Sequence, residues 1–205
     1  MTNKELVIQR FKDTIEVKED IMADNTVITT IVTLADEIAA TISRGNKLVL
    51  CGNGGSASDA LHFAGEIVGR FQMERSAWPA VVLNADVATM TAIANDYGYD
   101  DVFSRQAEGH VIPGDLFIGI STSGNSENVL RAVKVAEKCG AKTAALLGKD
   151  GGKIRSCVDY PVVVKSNTTA RIQERVSLPC PLPFSHNGRL RRGCQRTSIP
   201  LEDAA

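Results

Sequence analysis

No uninterrupted apolar run in this chain approaches the roughly 18 residues of a membrane span. The first residues, MTNKELVIQRFKDTIEV, mix charged with apolar side chains and hold no signal-peptide hydrophobic core. Neither a membrane nor export is expected, and the expected compartment is the cytoplasm. An excess of one charge is also missing. With 23 Lys and Arg against 24 Asp and Glu, the formal net charge is −1. That balance gives no electrostatic reason to expect nucleic acid or an anionic lipid surface as a partner. Paired cysteines are absent as well. Cys51, Cys139, Cys157, Cys180 and Cys194 are odd in number and scattered, with no Cys-x-x-Cys. This argues against a disulfide framework and a thiolate zinc site. Cys51, closing an apolar run, reads as a small core residue.

What is present fits one domain of 205 residues with an ordinary apolar fraction. Two helical patterns come first, KELVIQRFKDTIEVKEDIM and NTVITTIVTLADEIAATISRG, with apolar residues three and four apart and a stop at Gly45. From Lys47 onward short apolar runs take over: KLVLCG, PAVVLN, DLFIGIST, TAALLG and DYPVVVKS. Helical segments separate them, among them SDALHFAGEIVG, NSENVLRAVKVAEKCG and GGKIRSC. Strands that alternate with helices and are apolar on both faces predict a doubly wound α/β fold, a five-stranded parallel sheet covered on both sides. The amino-terminal helical pair is left over, and an apolar stripe on such a pair often docks on a partner subunit.

From Arg175 the pattern breaks. The last 31 residues hold four of the seven prolines, five arginines and two cysteines. Pro179, Pro181 and Pro183 forbid helix, and no strand alternation replaces it, so this segment reads as an irregular tail. Its Arg189, Arg191 and Arg192 read as solvated surface, too short a basic cluster for nucleic acid.

In an open parallel sheet, ligands bind beyond the carboxyl ends of the strands. Two loops stand there: GNGGSAS after the first strand and STSGNSEN, residues 121 to 128, after the third. Glycine lets backbone approach a ligand, and hydroxyls and amides at a helix start suit an anion. Ser121, Thr122, Ser123 and Ser126 could cradle a phosphate without a lysine. GNGGSAS is neither the dinucleotide G-x-G-x-x-G nor a Walker loop. A turn with a helix cap is the plainer alternative for either loop. His62 and Glu66, four apart, share a helix face one turn beyond the first loop. They could form a metal pair or an acid/base pair; an exposed ion pair and a satisfied histidine are the alternatives. His110, before VIPGD, reads as a surface or capping residue, and His186 lies in the tail.

Four segments, GNGGSASDALHFAGEIVGRF, MTAIANDYGYDDVFSRQ, GDLFIGISTSGNSENVLRAV and ARIQE, together resemble the phosphoheptose isomerases, SIS-domain (sugar isomerase) proteins that act on sedoheptulose 7-phosphate. The resemblance runs to about Glu174, so residues 1–174 form the SIS domain and residues 175–205 the atypical tail. It implies a flavodoxin-like sheet, a homotetramer with sites at subunit contacts, a bacterial cytoplasm, and D-glycero-D-manno-heptose 7-phosphate as product for surface polysaccharide. By position it implies that Asn53, Gly54, Gly55, Asn95 and Asp96 line the sugar phosphate. Ser121, Thr122, Ser123 and Ser126 would bind its phosphate. His62, Glu66 and Gln173 match zinc ligands, Gln173 also touching substrate, and Glu66 is one of two groups that move the proton. The family pattern has a further zinc-binding histidine eight residues after the glutamine, where this chain has Pro181. The switch to proline- and arginine-rich sequence resembles a reading-frame change, and the expected consequence is a weakened or inactive isomerase. The competing readings are a non-catalytic SIS protein that binds the replication initiator and a phosphosugar-sensing module. Glu66, which the initiator-binding group lacks, favours the enzyme, and no DNA-binding region is evident to support the sensor.

Overall fold

The computed structural model describes residues 1–70 and 74–176. Two long helices open it, α1 (Asn3–Ala23) and α2 (Asn25–Ser43), with Asp24 between them. Thr2 starts α1 with a capping box, its hydroxyl accepting from Glu5 N–H while the Glu5 carboxylate reaches back to Thr2 N–H. Asp24 ends the first helix and caps the second, accepting from Thr26 and Val27 N–H. Contrary to expectation, α2 is long and apolar enough to pass for a membrane span by length and composition. Asp36 and Glu37 leave its apolar side chains uninterrupted only as a stripe, and Val27, Ile31, Leu34 and Ile38 bury that stripe in the core.

The rest alternates as the apolar runs predict: β1 (Leu48–Gly52), α3 (Gly55–Val68), β2 (Ala80–Val82), α4 (Val87–Tyr97), α5 (Ser104–His110), β3 (Leu116–Ser121), α6 (Glu127–Lys138), β4 (Lys142–Gly148), β5 (Tyr160–Val164) and α7 (Thr169–Val176). All pairings are parallel and the strand order is β2-β1-β3-β4-β5, the doubly wound order whose switch point lies between β1 and β3. Side chains alternate between two cores, as the period of two requires. Leu48, Leu50, Leu116, Ile118, Leu146 and Val162 pack beneath α2, α3 and α7. Val49, Cys51, Phe117, Ala145, Leu147 and Val163 pack beneath α5 and α6.

Three details differ from the sequence reading. The segment GGKIRSC holds only a 3-10 turn, Ile154–Cys157, because two glycines in the left-handed region, Gly151 and Gly152, break its start. Strand β2, at the sheet edge, is half-buried rather than apolar on two covered faces. Helix α7 runs two residues past Glu174, to Val176, before the prolines begin. The expected irregular tail, with Pro181 and His186, otherwise lies outside the described residues. The expectation for Cys51 holds: it is fully buried, and burial pushes its thiol far above the ordinary range.

Candidate functional site

Gly52 and Ile120 are paired neighbours at the ends of β1 and β3, so the two glycine- and serine-bearing loops leave the sheet side by side. In the first, Gly54 sits at φ 55°, ψ −121°, a conformation that only glycine adopts freely. A side chain on Gly55 would collide with the amide of Gln173. The loop is held by two asparagines from elsewhere in the chain. Asn84, just past β2, extends the ladder: it accepts from Gly52 N–H at 3.1 Å and donates to Gly52 C=O at 2.7 Å. Asn128, buried in the first turn of α6, exchanges amide hydrogen bonds with Asn53 at 2.9 and 3.0 Å.

The second loop folds around its own hydroxyls. Ser121 Oγ lies 2.9 Å from Ser126 Oγ and accepts from Gly124 N–H at 3.1 Å; Ser123 Oγ accepts from Asn125 N–H at 3.1 Å. Ser126 stands at the start of α6, yet its hydroxyl makes no capping bond, so it remains turned toward Ser121. Beneath, Gly124 C=O accepts from Ile154 N–H at 3.0 Å and Asn125 Oδ1 from Lys153 N–H at 3.1 Å. This braces the serine loop on the loop after β4. Three hydroxyls gathered at a helix start, with no carboxylate among the described residues bonded to them, have the chemistry that suits an anion.

On α3, Gly55, Asp59, His62 and Glu66 fall on one face. His62 Nε2 lies 4.0 Å from Glu66 Oε1, too far for a hydrogen bond, with the histidine side chain 61% and the glutamate 26% exposed. Asp59 Oδ2 is buried without a hydrogen-bond partner among the described residues. Burial pushes the Asp59 carboxyl above the usual carboxylate range, and His62 opposes that shift. At the far end of the helix, the Arg75 guanidinium donates to Glu66 C=O at 2.7 Å and lies over the Trp78 ring at 3.7 Å, fixing the last turn.

Of the residues singled out from the sequence, the structure bonds Asn53 to the serine-loop helix, sets His62 beside Glu66 without a hydrogen bond, and brings Gln173 against Gly55. Helix α7 reaches there because Ile172 is fully buried and packs on Gly148. Asn95 and Asp96 are exposed on α4, and their side-chain hydrogen bond is with each other, at 2.9 Å. The link from that segment to the site is Tyr99, whose hydroxyl donates to Asn53 Oδ1 at 3.1 Å. Among the described residues no three His, Cys, Asp or Glu side chains gather as a metal cluster. Tetrahedral zinc, with bonds of about 2.0–2.1 Å, sets its donors about 3.4 Å apart, so His62 and Glu66, 4.0 Å apart, would have to close slightly to share one ion. Asn84, Asn128, Tyr99 and Asp59 were not singled out from the sequence. The available signal was an asparagine inside an apolar helix start, S-E-N-V-L, where a buried amide must find partners.

The fold and most of the chain have relatives among known proteins. The SIS domain family model matches residues 11–148. The phosphoheptose isomerase of Trichlorobacter lovleyi is 55% identical over 141 residues, covering 69% of this chain and 72% of that protein. This chain belongs to the SIS-domain family, among the phosphoheptose isomerases. Two solved members of that group superpose well. The structure from Neisseria gonorrhoeae has a TM-score of 0.81 at 41% identity, covering 87% of this chain and 95% of that one. The one from Francisella tularensis has a TM-score of 0.83 at 34% identity, covering 88% and 95%.

Proposed function

We propose that this chain isomerises D-sedoheptulose 7-phosphate to D-glycero-D-manno-heptose 7-phosphate through an enediol, supplying heptose for surface polysaccharide in a bacterial cytoplasm. The observation that carries this reading is the pairing of a serine-lined anion loop at the end of β3 with the Glu66 carboxylate on the helix leaving β1. The serine hydroxyls and the α6 start would hold the phosphate, and that binding would orient the reacting carbons at the far end of the sugar. Glu66 would then take a proton from C1 of the ketose; the oxygen on C1 loses its proton as the C1 carbonyl forms, the C2 oxygen gains one, and Glu66, its own proton exchanged with water at the enediol stage, delivers a proton to C2.

Zinc belongs to this reading as a proposal, with His62, Glu66 and Gln173 as the residues that would hold it. When bound, the ion would polarise the substrate carbonyl. Self-assembly, as a homotetramer, is supported by the exposed apolar side chains of α1, Leu6, Val7, Phe11, Ile15 and Met22. Pro181, in place of the family's histidine, is expected to lower turnover below that of relatives with an intact site.

The test is incubation with sedoheptulose 7-phosphate in deuterated water, followed by NMR. The expected product is the aldose carrying deuterium at C2, absent with Glu66→Gln. A chain that binds the phosphosugar but forms no product and exchanges no proton overturns the isomerase and favours a binding module.

A further inference from the structure

Asn53 is locked into one orientation by a chain of donors and acceptors with fixed polarity. It begins at Val129 N–H, which can only donate, and which donates to Asn128 Oδ1 at 2.9 Å. That fixes which end of the buried Asn128 amide is oxygen. Asn128 Oδ1 therefore also accepts from Asn53 Nδ2 at 2.9 Å, and Asn128 Nδ2 donates to Asn53 Oδ1 at 3.0 Å. Tyr99 Oη adds a second donor to the same Asn53 oxygen at 3.1 Å. Both lone pairs of Asn53 Oδ1 are then in use, and one Nδ2 hydrogen is committed to Asn128. A single N–H is the whole hydrogen-bonding capacity left to this side chain.

The three residues come from three places: the loop after β1, the first turn of α6, and the 3-10 turn after α4 (Tyr99–Asp101). That 3-10 turn is itself anchored to α6, since Arg131 pairs with Asp101 at 2.9 Å and Asp100 at 3.6 Å. The clamp thus sets how far the first loop stands from the serine loop, while no member of it touches a serine hydroxyl.

We propose that Asn128 and Tyr99 are positioning residues that make Asn53 an obligate hydrogen-bond donor to an oxygen of the bound sugar, separate from the phosphate held by the serine loop. This inference rests on the phosphosugar reading above. An asparagine free to rotate could offer either end of its amide; the clamped one selects an acceptor and spends no binding energy on being ordered. Tyr99 is the cleaner member to change, because it is 57% exposed and its ring contributes little to the core. Asn128 is buried and joins the two loops directly.

The experiment measures, by titration calorimetry on the full chain, the affinity for sedoheptulose 7-phosphate and separately for inorganic phosphate, in the parent, Tyr99→Phe and Asn128→Ala. Tyr99→Phe should weaken the phosphosugar about 2- to 10-fold, the range for one neutral hydrogen bond. Asn128→Ala should weaken it at least as much. Phosphate affinity should stay within about twofold in Tyr99→Phe, since the serine loop is untouched. A parallel fall in both affinities for Tyr99→Phe overturns the proposal, because the clamp would then serve only to hold the fold. Unchanged phosphosugar affinity in Tyr99→Phe overturns it too, whatever Asn128→Ala does or fails to fold into. A parent that binds phosphate but not the phosphosugar overturns the functional reading and the clamp with it, whereas a parent that binds both, with no split among the variants, overturns the clamp alone.

Discussion

The two ends of β1 and β3 are built in opposite ways. At the amino ends, Asp115 sits between the strands with a fully buried side chain and takes four donors: Asn46 Nδ2 at 3.2 Å, Lys47 N–H at 3.1 Å, Lys47 Nζ at 2.6 Å and Ile112 N–H at 3.0 Å. Every lone-pair direction of that carboxylate is occupied by its own chain. At the carboxyl ends, the corresponding polar groups are hydroxyls that lean on one another, a helix start whose first residue, Ser126, makes no side-chain capping bond, and a carboxylate and imidazole 4.0 Å apart without a hydrogen bond. One end fixes register and asks nothing of solvent. The other keeps hydrogen-bonding capacity in reserve, which the proposed ligand site requires. Stability and chemistry are therefore separable on the same pair of strands, and substitutions at the two ends should separate them.

The largest effect belongs to the open end. Glu66→Gln removes the proposed proton carrier while keeping its volume and its backbone bond to Arg75. Turnover should fall about 10²- to 10⁴-fold, the usual worth of a general acid/base group, with the urea midpoint nearly unmoved; retention of turnover within tenfold would remove Glu66 from the chemistry. Next comes the closed end. Asp115→Asn leaves Lys47 beside a neutral group in a site built for a carboxylate, and should cost about 3 kcal/mol of stability, as broken buried pairs do. Phosphosugar affinity of the folded fraction should not change. Were affinity to collapse while stability held, the division between the ends would be wrong.

A smaller effect, and one that probes both properties, is expected at Ser121, which is buried and bonded to Ser126 and to Gly124 N–H. Ser121→Ala should weaken phosphosugar and inorganic phosphate together by about 5- to 30-fold, with no more than about 1 kcal/mol of stability lost, since Gly124 N–H keeps its bond to Ser121 C=O at 3.2 Å. Equilibrium dialysis with phosphate and a denaturant titration read the two. A loss of stability without a loss of phosphate affinity would make the serine loop a turn and no more.

Most of this architecture was legible in the sequence, because strands buried on both faces leave continuous apolar runs, and β1, β3, β4 and β5 each do so. The loops were legible because glycine and serine end those runs where backbone must turn tightly. What stayed hidden lies across long separations. Asn84 reaches Gly52 from 32 residues away, Tyr99 reaches Asn53 from 46, and Asn128 from 75. An asparagine reads locally as a turn or cap residue, and nothing near it in sequence says that its partner is another loop's amide. The half-buried edge strand β2 and the broken start of the 3-10 turn at Ile154–Cys157 escaped for the opposite reason: local glycines and edge position overrode an apolar pattern that looked continuous.

The smallest effect is the sharpest test of the contrast, because it has opposite signs at the two ends. Burial alone would raise the Asp115 carboxyl, but the hydrogen bonds from Lys47, Ile112 and Asn46 outweigh it and hold Asp115 below the usual carboxylate range. A carboxyl whose folded pKa is depressed stabilises the protein above its unfolded value, about 3.9, and that contribution is lost as pH falls below about 4 toward the folded value. Asp59, on the α3 face at the open end, has no partner among the described residues for its buried oxygen, and burial pushes it upward. A raised carboxyl works the other way: folding prefers its protonated form, so its unfavourable contribution appears as pH rises from about 4 and persists at neutrality. Asp59→Asn should therefore raise the urea midpoint slightly at pH 7 and leave it unchanged near pH 3. Asp115→Asn should lower the midpoint at pH 7, with the gap to the parent narrowing on acidification. Midpoints measured at the two pH values decide between them. If Asp59→Asn destabilises at neutral pH, its carboxylate has a partner that holds it charged, and the open end is not as unsatisfied as its geometry indicates.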